Sequence, residues 1–494
     1  MSYLNTSLAL IFGIGLFFFI TRSLSRKKLP PGPRGLPLIG NAHQVPTETP
    51  WISFRQWSKH YGDIIYIDLA GQPTLIINSR KIASDLMDKR SSIYSDRPST
   101  EMIKLCGSDS IITLQQYGDD WKKQRRMVAP NFAQSYVPNY YELQEKQTAY
   151  LVRNVLQDPA TLASKIKLTT YGYSVGSKED VFLKNGLVAI DNFSVITTPG
   201  AFLVDLIPIL ASSIHLLYLR TQSMPVKFLP RWMPGSDFLT YAEECKRQLL
   251  QTCYDPYLWW KENHNAGRAL QPNMISNITL KAEGKLTTED EKQALWASLT
   301  MLGGGLDTAQ AEIDIVIGKD RLPSINDRPD LPYVRSVIAE SLRWAPALPL
   351  CVPHVLSQED IYNGYSLPKG TMVMANIWAM FHDPENYPDP MTFKPERFEG
   401  DDVEMEKISI VFGFGRRICP GRYFAEGTLF SAITTFLATC DILPGLDGAG
   451  REVMPEAKYS SGIISIPEEF PIRVKARSSR AAALLAEATS TAYE

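Results

Sequence analysis

The sequence has no pair of cysteines at metal-clip spacing and no disulfide framework. Its six cysteines, at 106, 245, 253, 351, 419 and 440, are scattered along 494 residues. That excludes a small cross-linked scaffold and fits a reducing compartment. A lone thiolate without a Cys-x-x-Cys partner is also a poor zinc site. Excess charge is missing too: a net charge of −2 leaves no basic field for nucleic acid. No linker-like stretch and no internal repeat divides the chain, although its length alone would allow roughly three domains. With 44% hydrophobic and 21% charged residues, the composition is that of an ordinary globular protein.

What is present begins with an apolar run from Leu8 to Ile20, lengthened by Tyr3 and Leu4 to just enough to span a bilayer. Arg22, Arg26, Lys27, Lys28 and Arg34 follow it, which places the N-terminus in a lumen and the body in the cytosol. The positive charge lies after the run and no small-residue cleavage site follows, so an uncleaved anchor is expected rather than a signal peptide. Asn5-Thr-Ser is a glycosylation sequon on the luminal side. Leu29-Pro-Pro-Gly-Pro-Arg-Gly-Leu-Pro-Leu-Ile-Gly40 reads as a stiff spacer. Trp51 to Tyr61 is predicted helical. Ile64–Leu69 and Pro73–Asn78 are predicted strands of a hairpin turning at Ala70-Gly-Gln, and Ile82 to Lys89 is again helical. Tyr362-Asn-Gly-Tyr and Pro368-Lys-Gly-Thr-Met-Val-Met-Ala-Asn376 read as hairpin strands.

The chemistry centres on Phe412-Gly-Phe-Gly-Arg-Arg-Ile-Cys-Pro-Gly421. After it, Phe424, Leu429, Phe430, Ile433, Phe436 and Leu437 recur at helical spacing. The loop therefore delivers the Cys419 sulfur to a helix start, where N–H groups and the helix dipole favour a thiolate. Gly415 and Gly421 are expected to let the backbone approach something large and flat, and Arg417 to meet an anion beside it. A single thiolate suits the axial position of a haem iron. Taken alone, Cys419 would read as one more buried cysteine in a glycine turn.

The whole string, with Phe412, Gly415, Arg417, Cys419 and Gly421 in register, resembles the haem-binding signature of the cytochrome P-450 family. Four further motifs follow the family's order. Trp121-Lys-Lys-Gln-Arg-Arg126 is similar to the family's Trp-x-x-x-Arg helix; the resemblance implies that Trp121 and Arg125 reach a haem propionate, where a surface basic helix is the plain alternative. Gly304, Gly305, Asp307 and Thr308 resemble the stretch that passes over the haem, with Asp307 and Thr308 as the implied proton relay. Glu340, Arg343 and Arg397 match the Glu-x-x-Arg pair and second arginine that form a buried charge network. Pro349-Leu-Cys-Val-Pro-His354 resembles the segment that offers a propionate ligand, here His354. Residues 198–208 and 227–235 are similar to a segment of fungal members, and Ser460-Ser-Gly-Ile-Ile-Ser465 to a substrate-touching loop.

The pattern breaks twice. Residues 211–224 look like an insertion. After Thr308, the chain passes directly into Ala309-Gln-Ala-Glu-Ile-Asp-Ile-Val-Ile-Gly318, which resembles the end of the following helix, so a helix-sized piece is missing.

The resemblance implies a mainly α fold with small β-sheets plus one N-terminal transmembrane helix. It divides the chain into an anchor and basic flank (1–28), a catalytic domain (29–475) and a C-terminal tail (476–494), frayed or disordered. The implied activity is haem-thiolate monooxygenation of a lipophilic substrate by O2, in fungal secondary metabolism or xenobiotic oxidation. Haem b would be held by Cys419, and electrons would come from NADPH through a separate membrane-bound reductase. The implied place is the endoplasmic reticulum membrane, single-pass, with the catalytic domain cytosolic. Two alternatives stand beside it: an isomerase or dehydratase on the same scaffold, which needs no NADPH, and a protein impaired by the loss after Thr308.

Overall fold

The computed structural model describes residues 28–37, 39–157, 181–197, 202, 205, 236–266, 268, 310–399, 406, 408–453, 459–460, 462–465 and 472–490. The apolar run at 8–20, the sequon at Asn5, the 211–224 stretch, Asp307 and Thr308 lie outside these residues. Among the described residues, no helix is long and apolar enough to cross a membrane.

Ile64–Leu69 and Gln72–Ile77 pair antiparallel, Ile64 opposite Ile77 and Leu69 opposite Gln72. Ala70 and Gly71 turn the hairpin with φ of 51° and 95°, the left-handed pair that two-residue hairpin loops require. Gly71 N–H donates to Asp68 Oδ1 at 2.6 Å, which fixes the turn. The Met372–Ala375 strand differs from the expected hairpin. It runs parallel to Gln72–Ile77 inside a four-stranded sheet, with His354–Val355 on its other side. All four of its residues are buried, as a central strand covered on both faces demands. Only Asp360–Tyr362 and Tyr365–Leu367 form the second hairpin.

The helical part is built on Arg422–Thr439. Leu429, Phe430, Ile433, Phe436 and Leu437 are buried along it, and Tyr141–Gln157, Gln310–Val316 and Pro332–Trp344 pack against it. Polar groups on this helix are satisfied in place: Thr434 donates to the Phe430 carbonyl at 2.7 Å and Ser431 to Thr148 at 3.0 Å. Gln144 locks the crossing with Tyr141–Gln157 by donating to Phe424 O at 2.8 Å and Thr428 Oγ1 at 2.6 Å. Away from it, the helices Val181–Thr197 and Asp237–Asn265 pack on each other.

The tail expected to be frayed is ordered from the strand Ile472–Ala476 into the helix Ser479–Ser490. Ala481, Leu485 and Thr489 recur every fourth residue and are buried. Leu485 joins a cluster with Val152, Val155, Phe436 and Cys440, and Arg153 donates to Thr489 Oγ1 at 2.7 Å. An alanine-rich stretch with one apolar stripe is a docking helix, not an appendage.

The Pro332–Trp344 helix is tied to the rest by fully buried charge. Arg343 Nε and Nη2 donate to the two oxygens of Glu340 at 2.6 and 2.9 Å, and Nη1 donates to Phe381 O at 2.9 Å. Lys394 N–H reaches Glu340 Oε1 at 2.7 Å, and Arg397 Nε lies 3.4 Å from the same oxygen. Arg397 also donates to the Pro388, Asp389 and Thr392 carbonyls. Glu340 is thus shared by two arginines. Glu340→Ala leaves Arg343 buried and unpaired and should cost about 3–5 kcal/mol, read as a lowered denaturant midpoint. An unchanged midpoint would show that the network carries no stability.

Candidate haem-thiolate site

Cys419 lies three residues before the Arg422–Thr439 helix. It is partly accessible, whereas the other five cysteines are buried. Its backbone N–H donates to Phe412 O at 2.7 Å, closing the loop on itself. The Gly421 N–H bonds the sulfur, and the Arg125 charge lies close to it; both favour the thiolate. Burial is the larger influence and holds the thiol above its ordinary value.

Gly415 has a φ of 52°, and a Cβ there would lie 2.2 Å from the Met87 carbonyl and 2.8 Å from the Ser91 side chain. The missing side chain lets the loop press on the 84–91 segment. That segment runs from Arg80–Ala83 into a π-helical turn at Ser84–Asp88, and Asp88 accepts the Gly415 N–H at 2.6 Å. Gly421 has an ordinary φ of −84° and contributes through its N–H. Phe412 ends the short helical turn Ile408–Phe412, with the Arg422 guanidinium 5.9 Å from its ring centre.

Three arginines converge here. Arg417 is buried; its Nε, Nη1 and Nη2 donate to the carbonyls of Ser95, Ile112 and Gln115 at 2.7, 3.1 and 2.8 Å. Its guanidinium stacks 4.5 Å from the Trp121 ring centre. Arg97 donates to the carbonyls of Thr113, Val352 and Pro353 at 2.8, 2.7 and 2.8 Å. Arg125, one turn after Trp121 on the Asp119–Val128 helix, pairs with no carboxylate among the described residues. Nor do the other two. Desolvation pulls Arg417 down to about 8 and Arg97 to about 10, and lowers Arg125. Arg97 and Arg125 each repel Arg417, and Asp96 offsets only part of that.

His354 joins them from the edge strand. Its Nδ1 lies 2.6 Å from Tyr94 O. A carbonyl only accepts, so Nδ1 carries the proton. Burial and the charges of Arg97 and Arg417 push the ring well below its ordinary value. The neutral ring has its lone pair at Nε2.

Arg97 was not singled out from the sequence. It sits in a loop without periodicity, and its carbonyl partners come from Val352 and Pro353, far along the chain. Only the Asp96-Arg97-Pro98 punctuation, a charge held beside a rigid residue, hinted at it.

The cytochrome P-450 family model matches residues 30–171 and 304–466, together more than half of the chain. The chain belongs to the cytochrome P-450 family. Cytochrome P-450 monooxygenase 226 of Postia placenta is 44% identical, with 93% of this chain and 90% of that protein covered. Cytochrome P-450 monooxygenase claR of Ampulloclitocybe clavipes is 36% identical over 96% of this chain and 91% of its own. A zebra fish cytochrome P-450 structure with progesterone superposes with a TM-score of 0.64 at 22% identity, covering 87% of this chain and 99% of that one; it shows the P-450 fold, helical with small sheets. The chain is thus an enzyme of the cytochrome P-450 monooxygenase class.

The site fits a haem. One partly accessible sulfur stands beside two buried arginines and a half-buried one, none paired with a carboxylate among the described residues, and a haem brings a metal for the first and two carboxylates for the others. The Trp121 indole N–H, without an acceptor among the described residues, and Arg125 are free donors on one helix face. Arg125→Leu removes a desolvated charge, so the cofactor-free protein should be no less stable. Haem retention should fall about tenfold or more, the worth of one charged hydrogen bond. Equal retention in a haem-transfer assay would remove Arg125 from the site.

Proposed function

We propose that this P-450 binds haem b through Cys419 and inserts one atom of O2 into a lipophilic organic substrate. Electrons would come from NADPH through a separate reductase, at the cytosolic face of the endoplasmic reticulum membrane. When bound, a haem would supply the oxygen chemistry, and a thiolate ligand would favour it by donating electron density to the metal. The chain's own residues supply the conditions. Cys419 ligates, with the Gly421 N–H tempering the charge on the sulfur. Arg97, Arg125, Arg417 and Trp121 hold the carboxylates and set the orientation of the group. His354, kept neutral, fills the edge of the arginine cluster without adding charge. Membership of a monooxygenase family favours oxygen insertion over the isomerase or dehydratase reading, and the apolar run at 8–20 with its basic flank supports the membrane-facing placement.

The observation that carries the haem reading is the partly accessible Cys419 sulfur with a backbone N–H and the Arg125 charge on it. Its test is the reduced carbon-monoxide difference spectrum of membranes expressing the protein. The red-shifted band of thiolate-bound haem should appear, and Cys419→Ala should abolish it. A band that survives the substitution would refute ligation by this sulfur. Turnover that proceeds without NADPH would favour the isomerase reading.

A second reading concerns the oxygen side. The 491 aligned positions with the Postia placenta relative exceed the 93% of this chain that they cover, so the relative carries residues that this chain lacks. On this reading, Asp307 and Thr308 do not deliver protons, and oxygen chemistry is impaired although haem binds. Thr308→Ala should then change NADPH-dependent turnover less than about twofold, where loss of a working relay costs about 10²–10⁴-fold. A loss of that size would restore Thr308 to the oxygen side.

A further inference from the structure

The 84–95 stretch takes hold of the cysteine loop at two places. Asp88 Oδ1 accepts the Gly415 N–H at 2.6 Å, and the Ser95 carbonyl accepts Arg417 Nε at 2.7 Å. Gly415–Arg417 forms one tight helical turn, and just beyond it the Cys419 N–H closes on Phe412 O at 2.7 Å. The sulfur thus sits at the exit of a turn whose first N–H is held by a side chain from a distant part of the sequence.

The stretch that supplies Asp88 is itself fixed from behind. The Lys89 N–H donates to Ser84 O at 3.0 Å, the wide-turn bond of the π-helical stretch Ser84–Asp88. In the hairpin strand Asp360–Tyr362, Asp360 accepts Arg90 Nη1 at 2.8 and 2.7 Å and the Tyr94 hydroxyl at 2.9 Å. The Tyr362 hydroxyl donates to Asp85 Oδ2 at 2.9 Å, and the Ser357 N–H to Ile93 O at 2.9 Å. Asp85 and Asp88 share the π-helical stretch but take different partners, one the hairpin and the other the cysteine loop. Asp88 is exposed, and a change at an exposed side chain moves global stability little. What its bond to Gly415 sets is the local position of the loop.

We propose that Asp88 is a positioning residue for the Cys419 sulfur. By holding the Gly415 N–H it fixes the turn that ends at the ligand, and so governs how long the sulfur stays on a bound haem iron. The inference rests on the proposed ligation by Cys419. Gly415 explains why a side chain is needed: with a φ of 52° and no Cβ, its backbone is free to leave the left-handed conformation unless something holds it. The carboxylate bond supplies that hold, and the Met87 carbonyl, 2.2 Å from where a Cβ would lie, confines the residue from the same segment. Asp88 touches neither sulfur nor haem and acts through the turn alone.

The test uses full-length, haem-loaded protein, reduced and saturated with carbon monoxide. At fixed temperature, the red-shifted thiolate band is followed as it converts to the unshifted band. Asp88→Ala should convert about fivefold faster, the worth of one ordinary hydrogen bond. Asp88→Asn, whose amide oxygen still accepts from the Gly415 N–H, should restore the wild-type rate. The denaturant midpoint should stay the same in both variants, whereas a merely structural role would lower it together with the band. Equal rates in wild type and Asp88→Ala would overturn the role of Asp88, as would an Asp88→Asn variant as fast as Asp88→Ala. A wild-type protein without the thiolate band would instead refute ligation by Cys419 and take this inference with it, so the two failures are told apart.

Discussion

Arg97, Arg125 and Arg417 carry three positive charges into a region that is largely closed to water, and the described residues set no carboxylate in contact with them. Backbone carbonyls take six of the donors of Arg97 and Arg417. Dipoles of that kind hold a guanidinium in place but do not cancel its charge. The desolvation cost is visible in the lowered proton affinity of all three. Such a cluster calls for an anion.

Much of the architecture serves to bring those groups together. The parallel pairing of Met372–Ala375 with Gln72–Ile77 sets the register of His354 opposite Val373, and so places the Val352 and Pro353 carbonyls under Arg97. The π-helical turn at Ser84–Asp88 carries Asp88 and the Met87 carbonyl against Gly415, which leaves no freedom in the loop before Cys419. On the other side, the Arg422–Thr439 helix is buried along most of its length and cannot shift without opening several clusters. Glu340, shared by Arg343 and Arg397, joins the Pro332–Trp344 helix to the 388–397 loop behind it. A cysteine on a loop is thereby held by the packed elements on both sides of it.

Legibility in the sequence followed the range of the interaction. Trp51–Tyr61, the Ile64–Ile77 hairpin, the helix after Gly421 and the Glu340–Arg343 pair rest on neighbours within a turn or a hairpin, and their spacing names them. Met372–Ala375 has four consecutive buried residues, so it lacks the alternation by which a half-exposed strand is told; its partner could not be read from it. The Gly415 cradle depends on a carbonyl from a segment far earlier in the chain. Arg97 has no pattern at all until Val352 and Pro353 come round to it. The Ser479–Ser490 helix was hidden by composition: alanine and serine look like a tail unless the fourfold recurrence of 481, 485 and 489 is weighed against a surface waiting to receive it. His354 is of another kind, since the Tyr94 carbonyl sets its tautomer while burial, with two neighbouring arginines, lowers its proton affinity.

The need of the arginine cluster for an anion can be measured apart from any turnover. Cofactor-free protein is titrated with haem and, in parallel, with the haem dimethyl ester, whose two carboxylates are blocked while iron and ring are unchanged. Two charged hydrogen-bonded groups at about 1.5–3 kcal/mol each predict that haem binds at least about 100-fold more tightly than the ester. Equal affinity, or tighter binding of the more apolar ester, would contradict the account.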